Sequence, residues 1–319
     1  MTTSIRLGTR SSQLALAQTH SVAAALRMAH PGLVVEIVTV RTSGDRRSES
    51  LREIGGQGAF TRELELALLD GEVDVAVHSL KDLPGTVLPG LVLAATPPRE
   101  DERDVVISRD ECTLAALPCG SRVGTGSLRR AAQLLRARPD LEIADIRGNV
   151  DTRLHKLDEG QYDAIVLAAA GLRRLGRSNH IGEYLPVELL LPAPGQAALG
   201  LECRSDDQTT QALLTPLNDA PTFAAVTAER AVLRAFGAGC RLPIAALGRV
   251  EGEQLTVHAR VLNPAGTLAL DVRDHAPSTE AEALGARVAA ALLSQGAAVL
   301  LELQIEGWKG GRDAPPGRL

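Results

Sequence analysis

Leu68-Leu69-Asp70-Gly71-Glu72-Val73-Asp74-Val75-Ala76-Val77 returns later in the chain as Leu157-Asp158-Glu159-Gly160-Gln161-Tyr162-Asp163-Ala164-Ile165-Val166. Gly71 and Gly160 stand 89 residues apart, as do Asp74 and Asp163. In each copy a helical pattern stops at the glycine and an apolar run follows, which predicts helix, tight turn and buried strand. A second echo lies upstream. Gly8-Thr9-Arg10-Ser11 corresponds to Gly124-Thr125-Gly126-Ser127 at an offset of 116, and both stretches follow a strand and open a helix. Chance competes as an account, because Gly-x-x-Asp before a strand is a cheap pattern. The two echoes together predict two similar α/β domains facing each other.

Working outward, short β-branched runs alternate with helical patterns through the first 200 or so residues, the mark of a parallel α/β sheet. Between the two marks the first copy spends 63 residues and the second 36. The surplus falls largely between Arg41 and Phe60, a Gly- and charge-rich stretch without periodicity, which predicts a lid over residues 41–60. Pro97-Pro98-Arg99-Glu100-Asp101 reads as one crossing between the halves and Leu191-Pro192-Ala193-Pro194-Gly195 as a second. Two crossings make a hinge. The expected division is residues 1–97 with 196–217, then 102–192, then a third unit over 220–306. In that third unit the pattern changes to a helix through Phe236, strands near 244–250, 255–262 and 267–273, and an Ala-rich helix at 279–294, which is α+β. Residues 307–319 read as a frayed tail.

Composition narrows the function. The 319 residues carry a net charge of −5, and only Lys81, Lys156 and Lys309 among the 34 basic residues are lysine, leaving 31 arginines. An acidic total with six aromatics argues against nucleic acid as partner. No apolar run approaches the ~20 residues of a membrane span, and the opening residues lack the apolar core of a signal peptide. Cys112, Cys119, Cys203 and Cys240 show no zinc spacing, so no metal is expected and a reduced, cytoplasmic setting is. GC-rich coding accounts for the arginine total but not for its placement.

That placement carries the chemistry. Arg129 and Arg130 fall in the first turn of a helix, where cations oppose the helix dipole unless an anion is bound there. A solvated arginine pair is the competing reading. Arg10 occupies the matching place in the first half, beside Ser12. Arg147 and Arg153 follow one strand, and Arg173 and Arg174 follow another. Strand ends meet at the ligand crevice of an open α/β sheet, and arginine favours carboxylate or phosphate. With neither a Walker A sequence nor a G-x-G-x-x-G after a strand, several carboxylates on one small ligand fit better. Asp82, in His78-Ser79-Leu80-Lys81-Asp82-Leu83-Pro84, is one acid among these cations, suited to stabilising a developing cation or moving protons. A salt bridge to Lys81 or a helix cap would also account for it. Cys240 sits in Gly237-Ala238-Gly239-Cys240-Arg241, where Arg241 favours the thiolate, although an inert cysteine fits the residues equally well.

Six stretches in order carry a resemblance. They are Gly8-Thr9-Arg10-Ser11-Ser12, Ala76-Val77-His78-Ser79-Leu80-Lys81-Asp82-Leu83-Pro84, Val123-Gly124-Thr125-Gly126-Ser127-Leu128-Arg129-Arg130, Arg147-Gly148-Asn149-Val150, Pro192-Ala193-Pro194-Gly195-Gln196 and Gly239-Cys240. From about Ile5 to Leu303 the chain resembles the porphobilinogen deaminase (hydroxymethylbilane synthase) family. The resemblance implies two periplasmic-binding-protein-like (type II) α/β domains with a hinge, plus a smaller α+β domain bearing Cys240. It implies head-to-tail joining of four porphobilinogens with loss of ammonia, and a dipyrromethane cofactor held covalently by the sulfur of Cys240. It makes Asp82 the catalytic acid facing pyrrole N–H groups. Lys81, Asp82, Thr125, Ser127, Arg129 and Arg130 fall to the cofactor, and Arg10, Ser12, Arg147, Arg153, Arg174 and Gln196 to the substrate and the growing pyrrole chain. It implies a monomer as well.

Some positions depart from the family pattern: Gln57 and Ala59 in the lid, Gly126, and Ala238 before Gly239-Cys240. A two-lobed binding protein without catalysis competes, but it leaves Cys240 without a role. A transferase using Lys81 as a Schiff base predicts borohydride trapping on Lys81. RNA binding through the arginines predicts steep salt dependence.

Overall fold

The computed structural model describes residues 4–40, 61–237 and 242–302. The lid stretch 41–60 with Gln57 and Ala59, the loop holding Ala238 and Cys240, and the tail 307–319 lie outside the described residues.

The first lobe begins with β1 (Ser4–Thr9), α1 (Gln13–Ala29), β2 (Val34–Thr39), α2 (Arg62–Leu69), β3 (Val75–Ser79) and β4 (Leu91–Ala95). The chain then crosses into the second lobe with β5 (Asp104–Ser108), β6 (Arg122–Gly124), α3 (Leu128–Ala137), β7 (Glu142–Ala144), α4 (Val150–Asp158), β8 (Ala164–Ala168), α5 (Ala169–Arg174) and β9 (Glu183–Tyr184). It returns with β10 (Leu199–Arg204) and α6 (Gln208–Leu214). The two five-stranded sheets run β2-β1-β3-β10-β4 and β7-β6-β8-β5-β9. Each has three parallel strands followed by an antiparallel crossing strand, β10 in one and β5 in the other. The sheets are therefore mixed where the sequence pattern predicts parallel ones, because each crossing strand enters from the opposite lobe. This strand order is the type II periplasmic-binding-protein arrangement, and it gives two α/β lobes.

The echo in the sequence is an echo in register. Leu7 pairs with Val75 and Gly8 with Ala76 in the first lobe, while Val123 pairs with Ala164 and Gly124 with Ile165 in the second. The two aspartates do one job: Asp74 Oδ2 accepts from the amide of Arg6 at 2.8 Å, and Asp163 Oδ2 from that of Arg122 at 2.7 Å. Gly71 and Gly160 have φ of +70° and +76°, the left-handed exit from a helix that glycine adopts without strain. The central strands β3 and β8 are buried along four consecutive residues, as expected where helices cover both faces of a sheet.

The third domain comprises α7 (Ala220–Ala235), β11 (Ile244–Glu251), β12 (Gln254–Leu262), β13 (Ala269–Pro277), α8 (Ala281–Ser294) and α9 (Ala297–Glu302). Its antiparallel sheet packs Leu255, Val257 and Val261 against Ala228 and Val232 of α7 and Leu284 and Val288 of α8. Gly285 lets the helices touch, since a Cβ there would stand 2.2 Å from the carbonyl oxygen of Ala228.

Both crossings meet on α7. Glu229, fully buried, takes Arg99 of the first crossing at 2.6 Å, the amide of Gly195 in the second at 2.6 Å, and the amide of Gly248 on β11 at 2.7 Å. One carboxylate thus joins the two strands of the hinge to the third domain.

Candidate active site

β3 ends at Ser79 and passes directly into a single 3-10 turn, Leu80–Asp82. Leu80 and Leu83 are buried with Ala198 and Val226, and the Leu80 amide donates to the carbonyl of Ala198 at 3.0 Å. Two apolar anchors therefore hold the turn, and Lys81 and Asp82 between them are half-buried. Asp82 lines a partly open pocket with Arg10, Ser12, Gln18, His78 and Ser79, with a cavity volume of about 70 Å³. Ser12 caps α1 by accepting from the Ala15 amide, and Gln18 and Ser79 are hydrogen-bonded to each other at 2.9 Å. Beneath the floor His78 Nε2 meets Glu202 Oε2 at 3.1 Å, both buried.

The facing wall belongs to the second lobe. Thr125 Oγ1 accepts from the Ser127 amide at 3.2 Å, and Ser127 caps α3 through the Arg130 amide. Arg147 pairs with Asp145 at 2.9 Å, and Arg153 Nε donates to the carbonyl of Gly148 at 2.8 Å. Burial lowers the pKa of Arg153 to about 10, with Arg130 and Arg147 pushing the same way and Asp145 and Asp82 opposing. Burial likewise lowers Lys81 to about 8, reinforced by Arg130 and Arg129 and resisted by Asp82 and Asp104. Lys81 and Asp82 of one lobe therefore share an electrostatic field with Arg130, Arg147 and Arg153 of the other. Cations that make one another harder to keep charged gain from carboxylates placed among them, so this donor set fits a polycarboxylate ligand.

Arg129, Arg130 and Gln196 converge on Asp104. Arg129 donates to Asp104 Oδ2 at 2.8 Å and to the carbonyl of Leu191 at 2.6 Å. Arg130 gives Nη2 and Nε to Asp104 Oδ1 at 2.7 and 3.1 Å, and Nη1 to the carbonyl of Val166. Against burial, which raises it, these two guanidinia hold the Asp104 carboxyl down at about 2. Gln196 Nε2 reaches the same Asp104 oxygen at 2.9 Å, and Arg174 donates to the carbonyl of Ala197. The helix-start arginines are thus partly neutralised by one acid, which leaves a net positive charge on the trio. Their influence on a ligand is one of charge; Arg174 ends α5 and reaches the Ala197 carbonyl, and Gln196 directly follows the second crossing.

Asp104 and Glu229 are absent from the sequence-based candidates. The signal for Asp104 is a charged residue heading the otherwise apolar strand Val105-Val106-Ile107. Glu229 carries no comparable mark within an alanine-rich helix. Of the other cysteines, burial pushes the Cys203 thiol up to about 11, whereas Cys119 is exposed. In sequence, Cys240 falls between the end of α7 at Ala235 and the start of β11 at Ile244. Among the described residues no helix is long and apolar enough to cross a membrane.

Comparison with known proteins gives the family. A family profile described as "Porphobilinogen deaminase, dipyromethane cofactor binding domain" matches residues 5–212, and one described as "Porphobilinogen deaminase, C-terminal domain" matches residues 223–294. A porphobilinogen deaminase of Syntrophotalea carbinolica is 49% identical over 294 residues, covering 92% of this chain and 93% of its own length. One from Acidithiobacillus ferrooxidans is 50% identical over 300 residues, covering 94% and 97%. Among solved structures, the methionine binding protein MetQ aligns with TM-score 0.44 and 15% identity, over 69% of this chain and 92% of that one. Matched across both lobes and the third domain, the chain belongs to the porphobilinogen deaminase family.

Proposed function

We propose that this chain is a hydroxymethylbilane synthase, joining four porphobilinogens head to tail with release of ammonia in tetrapyrrole biosynthesis, and that Asp82 is its catalytic acid. The observation that carries the assignment of Asp82 is the pocket it lines with Arg10 and Ser12, facing the cationic wall of the second lobe.

Loss of ammonia from the aminomethyl carbon of porphobilinogen leaves positive charge on the substrate's pyrrole nitrogen. A carboxylate fixed beside that N–H stabilises the charge as it develops, in a site where nearby dipoles and charges need not reorganise. The new carbon–carbon bond forms at the methylene carbon, and the pyrrole whose free α-carbon attacks it then sheds its α-proton, which Asp82 would accept. Arg10, Ser12, Arg147 and Arg153 would bind the acetate and propionate groups, with Arg174 at the end of α5 and Gln196 beside the second crossing supporting the wall.

The family's dipyrromethane cofactor, when bound, supplies the pyrrole carbon to which the first substrate is joined. Cys240 is its proposed covalent anchor. Lys81, Thr125 and Ser127 would hold its carboxylates, and Arg129 and Arg130 would act through charge. We place the enzyme in the cytoplasm, where that thiol stays reduced, and take the monomer as its working unit.

Intact mass of the purified protein tests the anchor. The expected mass exceeds the chain by two pyrrole units, and the excess disappears in Cys240→Ala. An unmodified protein with full activity would overturn the assignment.

A further inference from the structure

The turn that carries Asp82 is held from behind by the third domain. Arg230 of α7 is 4% exposed and faces three successive backbone carbonyls: Nη1 donates to Leu83 at 3.4 Å, and Nη2 to Pro84 at 2.8 Å and Gly85 at 3.2 Å. One helical turn on, Arg234 Nη1 donates to the Gly85 carbonyl at 3.0 Å. One turn back, Val226 packs on Leu80 and Leu83. Val226, Arg230 and Arg234 are spaced i, i+4, i+8 and form one stripe of α7 along the whole segment from Leu80 to Gly85. The fit is close, since a Cβ on Gly85 would stand 2.9 Å from Arg234 Cγ.

Two features distinguish Arg230 from an ordinary buried cation. Among the described residues no ion pair joins it to a carboxylate; its hydrogen bonds go to carbonyl dipoles, an arrangement that serves stability poorly for a desolvated charge. Its helix also ends at Ala235, just before the loop of Cys240. We propose that Arg230 is a positioning residue for Asp82: it clamps the carbonyls that follow the acid and fixes the acid relative to the helix leading to the cofactor cysteine. The proposal rests on the assignment of Asp82 as the catalytic acid. Misplacing a reacting group by about 1 Å can cost about 100-fold in rate.

The test compares cofactor-loaded Arg230→Met, Arg230→Lys and Asp82→Asn with the unaltered enzyme, scoring loading by intact mass and rates per loaded molecule. Arg230→Met is expected to lower kcat at least about 30-fold while KM for porphobilinogen moves less than about threefold. Arg230→Lys, keeping one cation but not the fork, is expected to recover part of the loss. Amide hydrogen exchange over residues 80–86 is expected to quicken in Arg230→Met, with α7 unchanged. A loaded Arg230→Met with near-normal kcat, or a loss explained wholly by fewer loaded molecules, overturns the proposal. If Arg230→Met does not fold, Arg234→Gln takes its place: a kcat lowered severalfold at constant KM supports the clamp, and an unchanged kcat overturns it. Near-normal turnover in Asp82→Asn would instead overturn the role of Asp82, leaving the exchange result to report on the clamp alone.

Discussion

Nη2 of Arg130 sits 2.7 Å from Oδ1 of Asp104, and Nη2 of Arg129 sits 2.8 Å from the other oxygen of the same carboxylate. Three charges are buried where the chain has just entered the second lobe. Removing the acid leaves two guanidinia with a neutral partner, and breaking a buried pair in this way costs about 3–5 kcal/mol. Asp104→Asn is expected to lose stability on that scale in urea denaturation at constant slope. A loss below about 1 kcal/mol would show that Asp104 is not the neutralising group.

Asp82→Asn preserves the shape of the pocket and removes its acid. Turnover is expected to fall at least about 100-fold, the usual scale for a group that handles a proton in the transition state. The mass of the loaded protein and its melting temperature should not change. Normal turnover at full loading would end the case for Asp82.

Lys81 gives a pH dependence whose sign is fixed by its lowered pKa. Below about 8 both folded and unfolded chains carry the proton, and folding bears the cost of burying the charge. Between about 8 and 10.5 the folded chain sheds it first, so this group adds stability as pH rises. In the cofactor-free protein, Lys81→Met is expected to flatten the stability profile across that window and to be the more stable variant at pH 7. Parallel denaturation profiles for the two proteins would contradict this.

Gly285→Ala probes the contact between α7 and α8. Its Cβ would meet the Ala228 carbonyl oxygen at 2.2 Å, and backbone cannot yield as a flexible side chain does. Overpacking of this kind costs about 1–3 kcal/mol or more, and the melting temperature should drop by several degrees. A variant as stable as the parent would mean that the helices separate freely.

The repeat is legible in the sequence because a helix stop and a buried strand need the same residue types wherever they occur. Gly71 and Gly160, with Asp74 and Asp163, therefore mark equivalent places in both lobes. The gathering of Arg10, Lys81, Asp82, Arg147 and Arg153 follows from strand ends meeting at one edge. What lies behind them does not follow. Asp104 is 25 and 26 residues from the arginines it pairs with, and Glu229 is 130 residues from Arg99. No local pattern encodes a partner at that distance. The arginines therefore read as open to the cleft, although two of them are already paired.

The strand order also sets the sequence in which the molecule can assemble during synthesis. The strands of the second lobe lie in one stretch, Asp104 to Tyr184, whereas among the described residues β4 of the first lobe pairs only with β10, which ends at Arg204. At about 5–20 residues per second, the hundred or so residues between β4 and β10 take roughly 5–20 s to make. During that interval β4 has no neighbour in its sheet, while every strand of the second lobe becomes available. The lobe begun first is therefore the one completed last, and its edge must wait, unpaired, for the chain to come back.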